Sequence, residues 1–257
     1  MNVIRLMGGL GNQLFQYAFG RAQKEKGIEV SYDITNFRKN GHRYYMLKEF
    51  NVDMKFSPFL PQGTVMDSKS IPTFNINYLN TQNKNFFGYW QYIEYFKDIL
   101  PVLKDEFSVK DKYYTSEYLK LKEKIVNDNS ISVHVRRDDY KTSDTIDCLP
   151  LNYYYKALKE VSGNLYIFSD EIEWCRDKFS SKYFDREITF VESEYYLDFE
   201  LMRFCKHNII ANSTFSWWAA LLNDNHEKIV VTPDIWITKH DRGNRNNFSE
   251  NWIKINV

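Results

Sequence analysis

The chain has 257 residues, 43% hydrophobic and 26% charged, which is length for two ordinary soluble domains or one large one. Its 34 basic residues balance its 34 acidic ones, which excludes an overall field aimed at nucleic acid or an anionic membrane and makes any anion binding a local matter. No apolar run approaches the roughly 18 residues of a spanning helix. The opening MNVIRL is strand-like and unlike a secretory leader, so residence in the cytoplasm is expected. Cys148, Cys175 and Cys205 fit neither metal-ligand spacing nor a paired disulfide framework and read as reduced, structural thiols. The 19 Tyr, 19 Phe and 6 Trp cluster in YYTSEY, NYYYKAL and SEYYLDF, a pattern suited to core edges and to sugar-binding surfaces, with core packing the main use.

In chain order, a strand is expected over 3–6, then a glycine-rich turn, a helix over 14–26 and a second strand over 29–32. Leu14, Phe15, Ala18, Phe19 and Ala22 recur at helical spacing, and Gly27 is a stop signal. The turn, MGGLGNQLFQYA, lets backbone amides approach an anion at a helix N-terminus. It is no Walker loop, since no Lys-Ser/Thr follows, and Leu14 stands where a dinucleotide fingerprint has its third glycine. Asp33 ends the next apolar run where a ribose-binding acid would sit, so a nicotinamide-dependent oxidoreductase stays open, as does a turn that only packs helix on strand. Residues 36–85 show no sustained period and read as elaborated loops. FFGYWQYIEYFKDILPVLKDEF resumes helical patterning, and 116–126 reads as an exposed helix.

From SISVHVR onward, β-branched runs alternate with helical segments through KIVVTP, which argues for a parallel sheet covered by helices. The whole reads as α/β, two Rossmann-like domains joined between 110 and 129. The assigned bounds are 1–125 for the first and 126–257 for the second. Ligands of such sheets sit beyond the carboxyl ends of strands.

Three strand ends carry chemistry. ISVHVR runs into Arg137-Asp-Asp-Tyr140, with His134 and Arg136 on one face; paired arginines offer planar forks for phosphate oxygens, and Asp139 can brace an arginine or take a proton. A surface ion-pair cluster is the competing reading. NLYIFSD ends in Asp170, which by itself favours a helix cap and otherwise accepts from a guanine edge or a ribose. NIIANSTFSWW sets Asn212, Ser213 and Thr214 before a helix, either as a plain cap or as a phosphate site, with Trp217 and Trp218 in the core. One arginine pair, one carboxylate and one hydroxyl-capped helix on a single sheet point to a nucleoside diphosphate.

With GGLGNQLFQYA, HVRRDDY and NSTFSWWAALL in that order, nearly the whole chain resembles the α-1,2-fucosyltransferases of glycosyltransferase family 11. The resemblance implies a GT-B architecture with two domains facing across a cleft, the acceptor on the N-terminal side and the donor held mainly by the C-terminal domain. It implies GDP-β-L-fucose as donor, inverting transfer to O2 of a terminal galactose, and no cofactor or metal. By the same resemblance Arg136 binds the diphosphate with Arg137 beside it, His134 contacts the guanosine, Asp170 accepts from guanine, and Ser213 and Thr214 donate to phosphate with Asn212 adjoining. Gly9, Gly11 and Asn12 approach the β-phosphate and the fucose. Arg136, Asp139 as candidate base, and Asn12 form the catalytic set. The family pattern has a glycine where this chain has Asp138, which raises the question of a positive φ there. A transferase with another acceptor or linkage, and a non-catalytic carbohydrate-binding protein, are the alternatives. The expected partners are GDP-fucose and a galactose-terminated glycan, with no nucleic acid. Peripheral association with the inner membrane stays open, and the oligomeric state is unspecified.

Overall fold

A computed structural model describes residues 1–39, 43–57, 59–67, 74–180, 185–236 and 251–257. The chain divides into two compact units, Met1–Lys110 and Asp111–Val257.

In the first unit, β1 (Asn2–Arg5), α1 (Leu10–Glu25) and β2 (Val30–Asp33) make the expected βαβ unit. α2 (Asn36–Lys39), β3 (Thr64–Met66), β4 (Asn85–Phe87) and α3 (Leu100–Glu106) follow, and the sheet order is β2-β1-β4-β3 with every pair parallel. Two expectations are corrected here. Residues 36–85 contain a strand, β3, besides loops, and the first residues of FFGYW form β4 beside β1 instead of a helix. Both strands have three residues, too short for a period, and are fixed by their pairing. The stripe from Leu14 to Ala22 is buried as its spacing requires.

Gly20 sets how closely α1 lies on the sheet. A Cβ there would stand 2.7 Å from Tyr32 Oη and 2.9 Å from Ile4 Cγ1. Tyr32 cannot swing aside freely, because its hydroxyl donates to the Tyr17 carbonyl and its ring stacks on Tyr17 at 5.4 Å. Gly20→Ala is therefore expected to destabilise the protein by about 1–3 kcal/mol, as overpacking does. Its denaturant midpoint should fall, and a midpoint at or above that of the parent would refute this packing account.

The second unit contains α4 (Ser116–Asn127), β5 (Ser130–Val135), α5 (Leu151–Ala157), β6 (Asn164–Ser169), α6 (Ile172–Lys178) and β7 (Ile188–Val191). It continues with α7 (Tyr195–Phe204), β8 (His207–Ile209), α8 (Thr214–Leu221), β9 (Val230–Pro233) and β10 (Ile253–Ile255). The sheet order β10-β9-β8-β5-β6-β7 is all parallel and reads as the Rossmann order 3-2-1-4-5-6 from its far edge. β10, absent from the sequence reading, is again a three-residue strand held by its neighbour β9. Ile131, Val133 and Val135 of β5 pack with Tyr153, Tyr154 and Ile167 in the core. Trp217 and Trp218 are buried, as expected. The direction of winding reverses between β5 and β8, where such sheets open a crevice beyond the strand ends.

All three cysteines are free thiols. Among the described residues no helix is long and apolar enough to cross a membrane.

Candidate functional site

β5 ends inside the core, and the next residues emerge from it as Arg136 and Arg137. The two arginines diverge. Arg136 is clamped between two carboxylates: one guanidinium nitrogen donates to Asp139 Oδ1 at 2.6 Å and the other lies 3.1 Å from Asp170 Oδ2. Burial pulls the Arg136 pKa down, but Asp170 and Asp139 outweigh it and the net shift is upward, so the group is a fixed cation. Arg137 turns away, donating to Glu171 at 2.9 Å with its guanidinium 4.0 Å from the centre of the Trp174 ring. Lys141 also pairs with Glu171. Arg137 is thus held by a carboxylate and an indole, while Arg136 is the arginine fixed at the strand end.

Asp170 does not cap α6, contrary to the simpler sequence reading. The N-cap is Glu171, whose amide donates to Ser169 Oγ at 3.0 Å. Asp170 instead accepts from the amides of Arg137 at 2.9 Å and Asp138 at 3.2 Å, while facing Arg136. Burial raises its pKa, and Arg136 and these amides hold part of that rise back. Asp138, where the resemblance implies a glycine, does not adopt positive φ; among the described residues only Asn83 and Trp90 do so without being glycine. Its amide is part of the Asp170 bracket, and its exposed side chain is tolerated there.

The third strand end meets the first through Tyr140 and His134. Tyr140 donates to the Asn212 carbonyl at 3.1 Å while its ring lies 5.6 Å from the Arg136 guanidinium. His134 Nδ1 is 2.8 Å from Ser216 Oγ on α8. Ser213 caps α8, its Oγ accepting from the Phe215 amide at 3.4 Å, and Thr214 is the first helical residue. Asn212 is buried, and its Nδ2 donates to the Asp147 carbonyl at 3.1 Å. His134 is 5% exposed; burial, then the Arg136 charge, push its pKa down to about 3, so the ring is neutral. A fixed cation beside a capped helix N-terminus is suited to hold an anion.

A cavity of about 810 Å³ opens at the ends of β6 and β7, lined in part by Tyr118, Asp170, Glu194, Leu197 and Asp198. Asp198 carries the largest electrostatic signal on this wall: burial, with Glu194 adding to it, raises its carboxyl to about 7 against a hydrogen bond from Ser193. Sequence reading missed Asp198. The available signal was a carboxylate three and four residues before Leu201 and Met202, both fully buried, on the inward stripe of α7. Glu171, Trp174, Tyr140 and Ser216 were also missed, since their contacts depend on tertiary structure.

Gly9, Gly11 and Asn12 belong to the first unit, at the carboxyl edge of its own sheet. Gly8 adopts φ +78°, where a Cβ would meet Asn12 Nδ2 at 2.6 Å. Gly9 is the N-cap of α1 and makes no side-chain cap hydrogen bond. Asn12 Oδ1 accepts from Gln91 at 2.8 Å. Buried Gln13 and Gln16 lace this turn to its neighbours, Gln13 donating to the Gly8 and Tyr44 carbonyls and Gln16 to the Gly88 carbonyl. Asp33 is occupied by Arg5 at 2.9 Å and by the Thr35 amide, which removes the ribose-binding role of the oxidoreductase reading. Among the described residues no three His, Cys, Asp or Glu side chains are grouped to hold a metal.

The chain is 30% identical to an alpha-1,2-colitosyltransferase of Escherichia coli, over 98% of each protein. It is 29% identical to the O-antigen biosynthesis glycosyltransferase WbnK of Escherichia coli, over 97% of this chain and 99% of that one. The crystal structure of NodZ alpha-1,6-fucosyltransferase soaked with GDP-fucose superposes with a TM-score of 0.50 at 12% identity, covering 86% of this chain and 91% of that one. With both sheets parallel, that likeness assigns the fold to the GT-B class. The sequence model of Glycosyl transferase family 11 matches residues 63–256, and this protein is a member of that family of glycosyltransferases.

Proposed function

We propose that the protein transfers L-fucose from GDP-β-L-fucose to O2 of a terminal galactose with inversion at the anomeric carbon. The observation that carries this reading is the Arg136 guanidinium fixed by Asp139 and Asp170 beside the Ser213-capped helix. Next to that cationic corner lies a cavity whose wall bears Asp170, Glu194 and Asp198. A wall of acceptors repels phosphate and selects a base with adjacent donors; guanine presents N1–H and N2–H₂ together, and Asp198 is proposed to accept from them in place of Asp170, whose oxygens meet Arg136 and the Arg137 and Asp138 amides. Phosphates at Arg136 and α8 with guanine at Asp198 fix the polarity of the donor. Leaving-group stabilisation by Arg136, Ser213 and Thr214 then acts where negative charge develops as the C1–O bond breaks.

The acceptor oxygen forms the new bond to C1 from the opposite side and its proton passes to a base. Asp139 is proposed for this role, and its pair with Arg136 makes it a positioning group as well. Gly9, Gly11 and Asn12 are proposed to meet the β-phosphate and the fucose. The first unit, Met1–Lys110, is proposed to meet the acceptor and the second, Asp111–Val257, to hold the donor, which moves the expected 125/126 boundary ahead of α4.

The relationship to a colitosyltransferase supports a second donor, GDP-colitose, whose sugar lacks one hydroxyl of fucose. The deciding experiment incubates purified protein with either donor, a galactoside panel and EDTA, with products read by mass spectrometry and linkage-resolved NMR. An α-1,2-fucosylated galactoside is the expected product. Transfer from GDP-colitose alone would replace the donor. Loss of activity in EDTA would overturn metal independence, and absence of both transfer and GDP-induced thermal protection would overturn the nucleotide site.

A further inference from the structure

Ser216 has no part in the chemistry described so far, yet it is fully buried in α8 with its hydroxyl between two groups. Its Oγ is 2.8 Å from His134 Nδ1 and 3.3 Å from the Ser213 carbonyl oxygen. The hydroxyl has one hydrogen. Directed at His134, it would leave two oxygens facing each other at 3.3 Å without a proton between them. Directed at the Ser213 carbonyl, three residues back in the chain, it makes the back-bond common to serine in helices. Oγ is then an acceptor for an N–H at His134 Nδ1. Only this arrangement makes both contacts hydrogen bonds.

The imidazole is neutral, since burial and Arg136 disfavour a second proton. With Nδ1 protonated, Nε2 bears a lone pair, and among the described residues no hydrogen bond reaches it. Such a nitrogen accepts and does not donate, so it is the wrong partner for a phosphate oxygen. Its position in the sheet indicates the right one. β5, which carries His134, lies between β8, whose end leads to the α8 N-terminus, and β6, whose end leads to Asp170 and the acidic cavity. A nucleotide with phosphates over the first and base in the second lays its ribose across the end of β5.

We propose that Ser216 fixes His134 in the Nδ1–H tautomer, so that Nε2 accepts a hydrogen bond from a ribose hydroxyl of the bound nucleotide. This assignment rests on the nucleotide-sugar reading above for its ligand, and on the hydrogen-bond geometry alone for its tautomer. Ser216 is a positioning residue in it, and His134 is the group that touches the nucleotide.

Two measurements test it. In the ¹⁵N spectrum of the free protein, the His134 resonances, assigned by their loss in His134→Gln, should show protonated Nδ1 and bare Nε2 at neutral pH. A protonated Nε2 overturns the proposal without reference to any ligand. By calorimetry, 2′-deoxy-GDP or 3′-deoxy-GDP should bind the wild type about tenfold more weakly than GDP, the scale of one lost hydrogen bond. Ser216→Ala should close most of that gap while leaving the difference between GDP and inosine diphosphate, which lacks the guanine amino group, unchanged. Equal weakening of every nucleotide by Ser216→Ala would make the residue merely structural and sink the proposal. Should that variant not fold, the wild-type spectrum and the wild-type ranking of deoxynucleotides decide alone, since no discrimination against either deoxy analogue also overturns it. A wild type that binds no GDP overturns the nucleotide reading, and the ribose contact with it, whatever tautomer the spectrum shows.

Discussion

Arg136→Ala should lower the turnover of sugar transfer by about a hundred- to a thousandfold, the range seen when a fixed donor to a developing oxyanion is removed. The residue is suited to such an effect because its orientation is set before substrate arrives, by Asp139 at 2.6 Å and Asp170 at 3.1 Å on different guanidinium nitrogens. Arg136→Lys keeps the charge but has one nitrogen for two carboxylates, so it should rescue little. Removing the arginine also leaves those carboxylates facing without their cation. The Asp170 carboxyl, already raised by burial, should rise further in the variant. A carboxyl raised in the folded state costs stability as pH climbs above its unfolded value. Melting curves should therefore separate variant from wild type more at pH 8 than at pH 5. Near-native turnover in a folded Arg136→Ala protein would remove Arg136 from the active site.

The second large effect concerns Asp198. Its carboxyl, lifted to about 7 by burial and by Glu194, is about half protonated in the free protein at neutral pH. If the ionised form accepts from guanine, GDP binding at pH 7 should release about half a proton, and close to none at pH 9. Calorimetry in buffers of different ionisation enthalpy reads that number directly. Asp198→Asn should abolish the release and weaken GDP about tenfold or more, since the amide turns one acceptor into a donor facing a donor. Stability should move the other way. The folded pKa lies above the unfolded one, so ionisation costs stability fully above pH 7 and not at all below about pH 4. Asp198→Asn should melt higher than wild type at pH 8, with the difference vanishing in acid. A variant that is less stable at pH 8, or that still releases a proton, would remove the carboxylate from the base site.

Both predictions draw on groups of unequal legibility. Arg136, Asp170 and Ser213 stand out in the sequence because each ends a β-branched run, and the ends of parallel strands are where such sheets bind. The roles inside the site are harder to read. Whether Asp170 caps α6 or brackets Arg137 and Asp138 depends on a partner 33 residues away, and the Ser216 contact with His134 spans 82. Asp198 hides in an aromatic stretch where the helix is obvious and the cavity beside it is not. The same division applies to the fold. β5 and β6 have six residues each with strong β-branched or aromatic character and are evident, whereas β3, β4 and β10 have three each and owe their conformation to the neighbour that pairs with them. In FFGYW, aromatic residues serve a strand and then a turn with Trp90 at φ 54°, which no hydrophobic period encodes.

The strand order of the second unit also governs how the protein is made. β5 leaves the ribosome early and finds β6 soon after, but its other edge waits for β8, whose Asn208 is 76 residues beyond the Ser132 it bonds. Until then a fully buried strand, Ser130–Val135, presents unpaired backbone to the cell. Such non-local parallel pairing folds slowly and leaves intermediates open to aggregation. The yield of this protein in a host should thus depend more on chaperone supply and growth temperature during synthesis than on the melting point of the finished fold.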